Sequence, residues 1–388
     1  MSQWLGGRRL VLAAGFAAAL PFIVSAAHAI AVDWTPYGDD AVIAARSLDV
    51  FTGNSPLVGQ WTSGLSEVLA LDVYTPGPPL YWLLALPARF LAPEWMAATM
   101  GLVNAACAIG AVALAHRRGG RPLMFATAIA IPVMLASLPA ESYSDVWNPS
   151  VPLPPLMLLV FLAWSLGCCE YRLLPLTVLV ASFVAETHLS YVAPTLAATA
   201  VGLVGLVVCL RSRGRDERGP VWRWVVAAVL VGVVLWAPPL IDEATNSPGN
   251  LALLRIAATT GEPKLGIEAG GRAVVHTVGI LPWWLQGPNG PLEGIADVTT
   301  RPGGLSIGSA LLVLLALVAV IVPAVRRRRV GVIVGAVLAL ALCAAVAFDA
   351  ASTPSNAVDT VHYTLRWASV AGMYAWLVLA WSLARLFV

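Results

Sequence analysis

The sequence predicts an all-α, multi-pass membrane protein with about ten transmembrane helices. Three observations carry this. Of 388 residues, 59% are hydrophobic and only 11% are charged, whereas a soluble domain is about a quarter charged. Apolar runs of roughly 20 residues, long enough to cross a bilayer, recur along the chain. Between them, basic residues gather at 116–121, 211–223 and 326–329. The net charge of +2 gives no reason to expect a nucleic-acid partner. There is no GxxxxGKS/T loop, no GxGxxG after a strand and no HExxH, so nucleotide hydrolysis and zinc proteolysis lack sequence support.

The first apolar run, 10–32, follows Arg8 and Arg9. A cleaved signal peptide is the competing reading, helped by the small residues at 25–29. The run is longer than the 7–15 residues of a signal core, so it reads as a retained helix with its amino end in the cytoplasm. The next stretch, 33–77, opens with Asp33, Asp39 and Asp40. Carboxylates beside hydrocarbon cost free energy and mark a candidate functional site. From Asp39 to Gly53 the spacing of Val42, Ile43, Ala45 or Arg46, Val50 and Phe51 predicts an amphipathic helix lying in the interface plane. Simple helix capping is the other reading of the two aspartates. The segment 78–91 begins with Pro78 and Pro79, holds Arg89 and is too short to span. It predicts a half-helix on the outer side.

Spanning helices are then expected at about 94–116, 121–138, 151–167, 173–187, 190–211, 222–241, 305–325, 330–348 and 364–386. With the in-plane helix and half-helix held outside, all three basic clusters face the cytoplasm, as the positive-inside rule asks. Both termini are then cytoplasmic. The outer segments are 33–77, 139–150, 242–304 and 349–363, and they carry most of the acidic residues, including Asp145. The chain divides into a transmembrane core over 1–241, a long loop over 242–304 and carboxy-terminal helices over 305–388. The five cysteines, 107, 168, 169, 209 and 343, show no metal-ligand spacing and sit in or beside apolar segments. They read as small apolar residues, with no disulfide expected.

Several motifs in 1–200 resemble those of the GT-C superfamily of integral-membrane glycosyltransferases. That group includes the lipid A aminoarabinose transferases, the protein O-mannosyltransferases and actinobacterial cell-wall glycosyltransferases. The carriers are Gly38-Asp39-Asp40-Ala41, Arg46, Pro56-Leu57-Val58-Gly59 and Tyr74-Thr75-Pro76-Gly77-Pro78-Pro79-Leu80-Tyr81. Two later segments, Asp145-Val146-Trp147-Asn148-Pro149 and Glu186-Thr187-His188-Leu189-Ser190-Tyr191, add to them. The chain departs from the mannosyltransferase branch in having Asp39-Asp40 where that branch has Asp-Glu. It also reads Thr75-Pro76-Gly77 where His or Lys often precedes the proline pair.

The resemblance implies a GT-C-like fold and transfer of a sugar from a polyprenyl-phosphate donor to a glycan, lipid or protein acceptor, at the outer face of the plasma membrane. A lipid phosphate leaves readily as an anion, so one base can suffice where a glycosidase needs two carboxylates. Asp39, at the position matching the family's first-loop Asp, is the expected base and Asp40 the alternative. Asp145 is expected to orient the acceptor, or to hold a divalent cation with Asp39. Two carboxylates do not establish a metal. Arg46, Arg89, His188 and Arg366 are candidates for holding the donor phosphate. Three of them have a plain structural alternative: the solvent face of a helix for Arg46, a structural role for His188, and a snorkelling residue of an aromatic belt for Arg366. Trp147 and Asn148 could stack on and bind a sugar, or form an interfacial tryptophan and a turn. A membrane transporter or lipid flippase is the main competing function. Its ionisable residues would be expected near the bilayer midplane. A non-catalytic membrane scaffold is the third.

Overall fold

The computed structural model describes residues 2–212, 220–287 and 298–387, with side chains from 7 to 386. Among them the chain is helical, with no strand and only two isolated bridges, Trp61 with Tyr74 and Lys264 with Pro354. Among the described residues, seven helices are long and apolar enough to cross a bilayer.

Helix α1 (Ser2–Ala31) shows why these runs form membrane helices. Ala14, Ala18, Phe22, Ala26 and Ala29 recur every three or four residues and are buried. Leu12, Phe16, Leu20 and Val24 form a second stripe at the same period, and each is more than half exposed. Such a stripe is unfavourable in water and neutral in hydrocarbon. The small-residue stripe packs on α5 (Glu94–Leu135), Ala26 approaching Gly101 and Gly15 approaching Ile109.

Helix α5 is two arms. Gly120 has φ 71° and ψ −160°, outside the helical region and accessible without strain only to glycine. The Asn104 side chain donates to the Tyr143 carbonyl at 2.9 Å, and the Tyr143 hydroxyl donates to the Leu135 carbonyl at 2.7 Å. Residues on opposite sides of Gly120 thus meet one loop, so the chain reverses there. The two arms correspond to the expected helices 94–116 and 121–138.

Helix α6 (Leu153–Gly167) is buried on every side, as a central helix hydrophobic all round should be. It opens on Pro154 and Pro155, whose missing N–H groups cost nothing in a first turn. Helix α7 (Leu174–Thr187) follows, then α8 (Val192–Ser212). At 15 and 14 residues, α6 and α7, expected as spans, are shorter than the seven helices long and apolar enough to cross.

α6 and α8 touch through their backbones. A Cβ on Gly205 would lie 2.7 Å from the Gly167 Cα, and one on Gly202 would lie 2.9 Å from the Ala163 carbonyl oxygen. Gly205→Val should therefore force the helices apart and cost about 1–3 kcal/mol, read as a lower melting temperature in detergent. The same approach overturns one expectation. Cys169 and Cys209 lie at the adjoining ends of these helices, 5.9 Å apart at Cα, and are joined by a disulfide. Cys107, Cys168 and Cys343 are free.

The remaining helices are α9 (Val221–Thr245), α10 (Asn250–Thr259), α11 (Gly266–Val278), α12 (Gly304–Arg326), α13 (Val330–Ser352), α14 (Val361–Thr364) and α15 (Ala368–Phe387). α13 and α15 complete the centre of the bundle, where Tyr374 meets Trp164 and Phe161 edge to face. The bundle has a basic end, where Arg117 and Arg118 pair with Glu170. Its opposite, acidic end carries the non-spanning helices.

At the acidic end, α2 (Asp39–Asp49) packs on α4 (Pro79–Phe90), with α3 (Ser63–Leu69) between them in sequence. Ile43 sits among Leu80, Tyr81, Leu84, Val146 and Val151. The buried face of α2 runs through Ile43 and Ser47, while Val42 and Phe51 point outward. The expected stripe is thus rotated by about one position, because α4 rather than lipid covers the inner face. The long segment after α9 is anchored, not free. Asn250 accepts from the Tyr74 amide at 2.9 Å and donates to the Tyr74 carbonyl at 3.0 Å. Asp242 accepts from the Asn250 amide at 2.8 Å. α11 lies on α13, and Trp376 of α15 donates to the Val278 carbonyl.

Candidate functional site

A cavity of about 850 Å³ opens at the acidic end, within the range of small-molecule sites. Three pieces of chain wall it. The last turns of α1 give Pro21, Val24, Ser25, His28 and Ala29. The link into α2 gives Val32, Trp34, Tyr37, Gly38, Asp39 and Asp40. The loop after α5 gives Ala140, Glu141, Tyr143, Ser144, Asp145 and Trp147. A hydrogen bond of 2.8 Å between the Ser25 and Ser144 hydroxyls ties the first wall to the third.

The aspartates are placed by local geometry. Gly38 turns the chain with φ 56° and makes no side-chain cap. Asp39 and Asp40 therefore begin α2 without serving as its hydrogen-bonding cap, although both favour the helix dipole. Asp39 Oδ2 accepts from the Trp147 indole N–H at 3.0 Å. Asp145 Oδ1 accepts from the Trp147 backbone N–H at 3.0 Å. Trp147 thus bridges two of the three aspartates.

Crowding like charges in a half-buried space favours protonation. The Asp40 pKa is raised to about 7, first by burial and then by Asp145 and Asp39. That of Asp145 is also raised, mainly by burial, against the opposing Trp147 hydrogen bond and the Arg366 charge. A carboxyl with a raised folded pKa contributes stability that is complete below its unfolded value and lost as pH rises through the folded one. The Asp40 contribution should thus be intact below about pH 4 and gone above about pH 7. Asp40→Asn should raise the melting temperature over the native chain at pH 8, and the difference should shrink steadily toward pH 4. Equal melting temperatures at pH 8 would show that Asp40 feels no such crowding.

Behind Trp147 stands Arg366. It is only 8% exposed, and its Cζ lies 5.9 Å from the Trp147 ring centroid, a cation–π distance. Its Nη1 donates to the Ser142 hydroxyl at 3.4 Å. Burial pushes its pKa down, while Tyr191, Asp145 and Glu141 push it up; an arginine stays charged through such shifts. Among the described residues, no carboxylate lies within 4 Å of it. A buried guanidinium without an ion-pair partner retains donors for an anion. Tyr363 flanks the other part of the indole, with centroids 5.1 Å apart. Tyr191 fixes the turn below by donating to the Pro149 carbonyl at 2.9 Å.

Four of the residues singled out from sequence, Asp39, Asp40, Asp145 and Trp147, share this cavity, with Arg366 behind it. The others lie elsewhere. Arg46 pairs with Asp49 at 3.3 Å, and Arg89 donates to the Leu48 carbonyl at 3.4 Å; both belong to the α2–α4 pair and not to the cavity wall. His188 bonds Ser190 at 2.8 Å. Burial lowers its pKa to about 4, so it is neutral at pH 7 and offers no charge to a phosphate. Asn148 is buried and donates to the Thr187 carbonyl at 3.4 Å, away from the cavity. His28, Trp34, Tyr37, Glu141, Ser142 and Tyr363 were not singled out. His28 lay in the first apolar run, and the others carried only their membership of outer segments; the fold brings His28, Trp34, Tyr37 and Glu141 to the cavity wall, Ser142 to Arg366 and Tyr363 to Trp147. Among the described residues no cluster of three or more His, Cys, Asp or Glu has metal-binding geometry.

No family model matches the chain, and no match was found among curated proteins or solved structures.

Proposed function

We propose that the chain is a GT-C-type glycosyltransferase of the cell envelope. It would move a sugar from a polyprenyl-phosphate donor to a hydroxyl or amine acceptor. One observation carries the reading: Trp147 is held by a carboxylate, Asp39, and covered by a buried cation without an ion-pair partner, Arg366. The order of motifs from Asp39 to Tyr191 agrees with it.

The chemistry needs those two groups on either side of one anomeric carbon. The acceptor oxygen or nitrogen attacks that carbon. The bond to the phosphate oxygen breaks, and the phosphate leaves with both electrons. Asp39 takes the acceptor's proton, as a base within hydrogen-bond reach can, with Asp40 the alternative. Arg366 meets the charge growing on the leaving phosphate. Asp145, fixed by the Trp147 amide, orients the acceptor. In this reading the acidic end faces outside the plasma membrane and both termini lie in the cytoplasm; the positive-inside bias of the basic clusters supports it.

Cells lacking the protein should accumulate a polyprenyl-phosphate-linked sugar, and re-expression should clear it. A transporter that carried the same lipid would leave the sugar on the cytoplasmic side, inaccessible to an external periodate or lectin probe. A transferase at the outer face leaves it accessible. Accumulation on the inner side alone would favour transport.

A further inference from the structure

We infer that the cavity receives the acceptor and not the donor, and that the acceptor is a lipid whose head is hydroxyl-rich and uncharged or cationic. This rests on the transferase reading for the word acceptor; the binding chemistry stands on the cavity itself. The polar part of the wall carries four carboxylates, Asp39, Asp40, Glu141 and Asp145, and no lysine or arginine. A phosphate entering there would meet like charge in a partly desolvated space. Sugar hydroxyls would instead donate to these oxygens, and the rings of Trp34, Tyr37 and Trp147 supply apolar faces for a pyranose. Arg366, the one buried cation among the described residues, is not on this wall; its Cζ lies 5.9 Å from the centroid of the Trp147 ring, which is. Donor phosphate and acceptor are thereby assigned to opposite sides of one indole.

The tail of the ligand follows from the rest of the wall. Pro21, Val24 and Ala29 line the cavity along α1, and Val32 just beyond its end. From residue 21 to 31 the helix rises about 15 Å, roughly half the hydrocarbon thickness. Val24, on this wall, is 57% exposed, so the cavity opens sideways to where lipid lies. A free sugar has no use for such a wall; an acyl or prenyl chain does.

Photo-crosslinking tests this. The full chain is placed in nanodiscs of zwitterionic phospholipid with an alkyl glucoside that carries a diazirine in its chain. Labelled peptides are mapped by mass spectrometry. Saturable label should fall on residues 21–32. An unlabelled alkyl glucoside should compete, the alkyl phosphate of equal length should compete at least about tenfold less well at pH 7.5, the effect of a modest like-charge penalty, and free glucose should not compete at all. Val24→Trp should cut labelling about tenfold by filling the wall. Should that variant not fold, Asp40→Asn/Asp145→Asn should narrow the gap between glucoside and phosphate. Equal or better competition by the alkyl phosphate overturns the assignment, as does equal competition by free glucose, or label that is unsaturable or lies elsewhere. The assay needs no turnover. Its failure alongside intact sugar transfer would sink the subsite and not the transferase; labelling without transfer would do the reverse.

Discussion

Asp39→Asn lowers sugar transfer by about 10²–10⁴-fold, the usual contribution of a general base, while folding and donor binding persist. The substitution is chosen for the geometry. Asn Oδ1 can still accept the Trp147 indole N–H that Asp39 Oδ2 accepts at 3.0 Å, so the indole keeps its place over Arg366. Only basicity is removed. Asp40→Asn should be milder if Asp39, which occupies the expected first-loop position and holds the Trp147 indole N–H, is the base. The reverse ranking would move the base to Asp40. Rates at saturating donor, with donor affinity measured separately, distinguish loss of chemistry from loss of binding.

Arg366→Ala should weaken donor binding by roughly 10–100-fold, the worth of about 1.5–3 kcal/mol for a hydrogen bond to a charged group. Arg366→Lys should recover part of it, since an ammonium restores charge without the planar fork. The effect should appear in KM for the lipid-phosphate sugar more than in acceptor affinity. Loss of acceptor affinity alone would place the cation on the wrong side of Trp147. Alanine also removes the cation over the Trp147 ring, so tryptophan fluorescence of the variant checks that the indole has not moved.

Much of the framework was legible in the sequence. The period-four apolar stripes of α1 announce a membrane helix. Asp39 and Pro79 begin α2 and α4 in the structure where helix-start chemistry placed them. Other features depended on tertiary contacts that no local pattern encodes. α10 and α11 lie within 242–304, read as a loop; in α11, Gly266, Gly270 and Gly271 lower the helical signal. Gly270 is needed for its approach to α13, where a Cβ would lie 2.5 Å from the Ala347 carbonyl oxygen. The Cys169–Cys209 bridge joins residues 40 apart, and only the glycine contact of α6 with α8 makes them neighbours. The site was half legible. Acidic residues after a first membrane helix stood out by their cost near hydrocarbon. That Arg366 is buried against Trp147, while Arg46 and Arg89 are engaged elsewhere, follows from side-chain packing among distant segments. His188 carried the same kind of sequence signal as Arg366, and burial made it neutral.

On the proposed mechanism, Asp39 and its neighbours drive departure of a lipid phosphate. The most direct test is release of free polyprenyl phosphate by the purified chain. It would be supplied with the lipid-linked sugar that accumulates in cells lacking the protein, plus a membrane extract as acceptor. The native chain should release polyprenyl phosphate in step with sugar appearing on the acceptor, and Asp39→Asn/Asp40→Asn should release almost none. Undiminished release by the double variant, or consumption of no donor by the native chain, would contradict the mechanism.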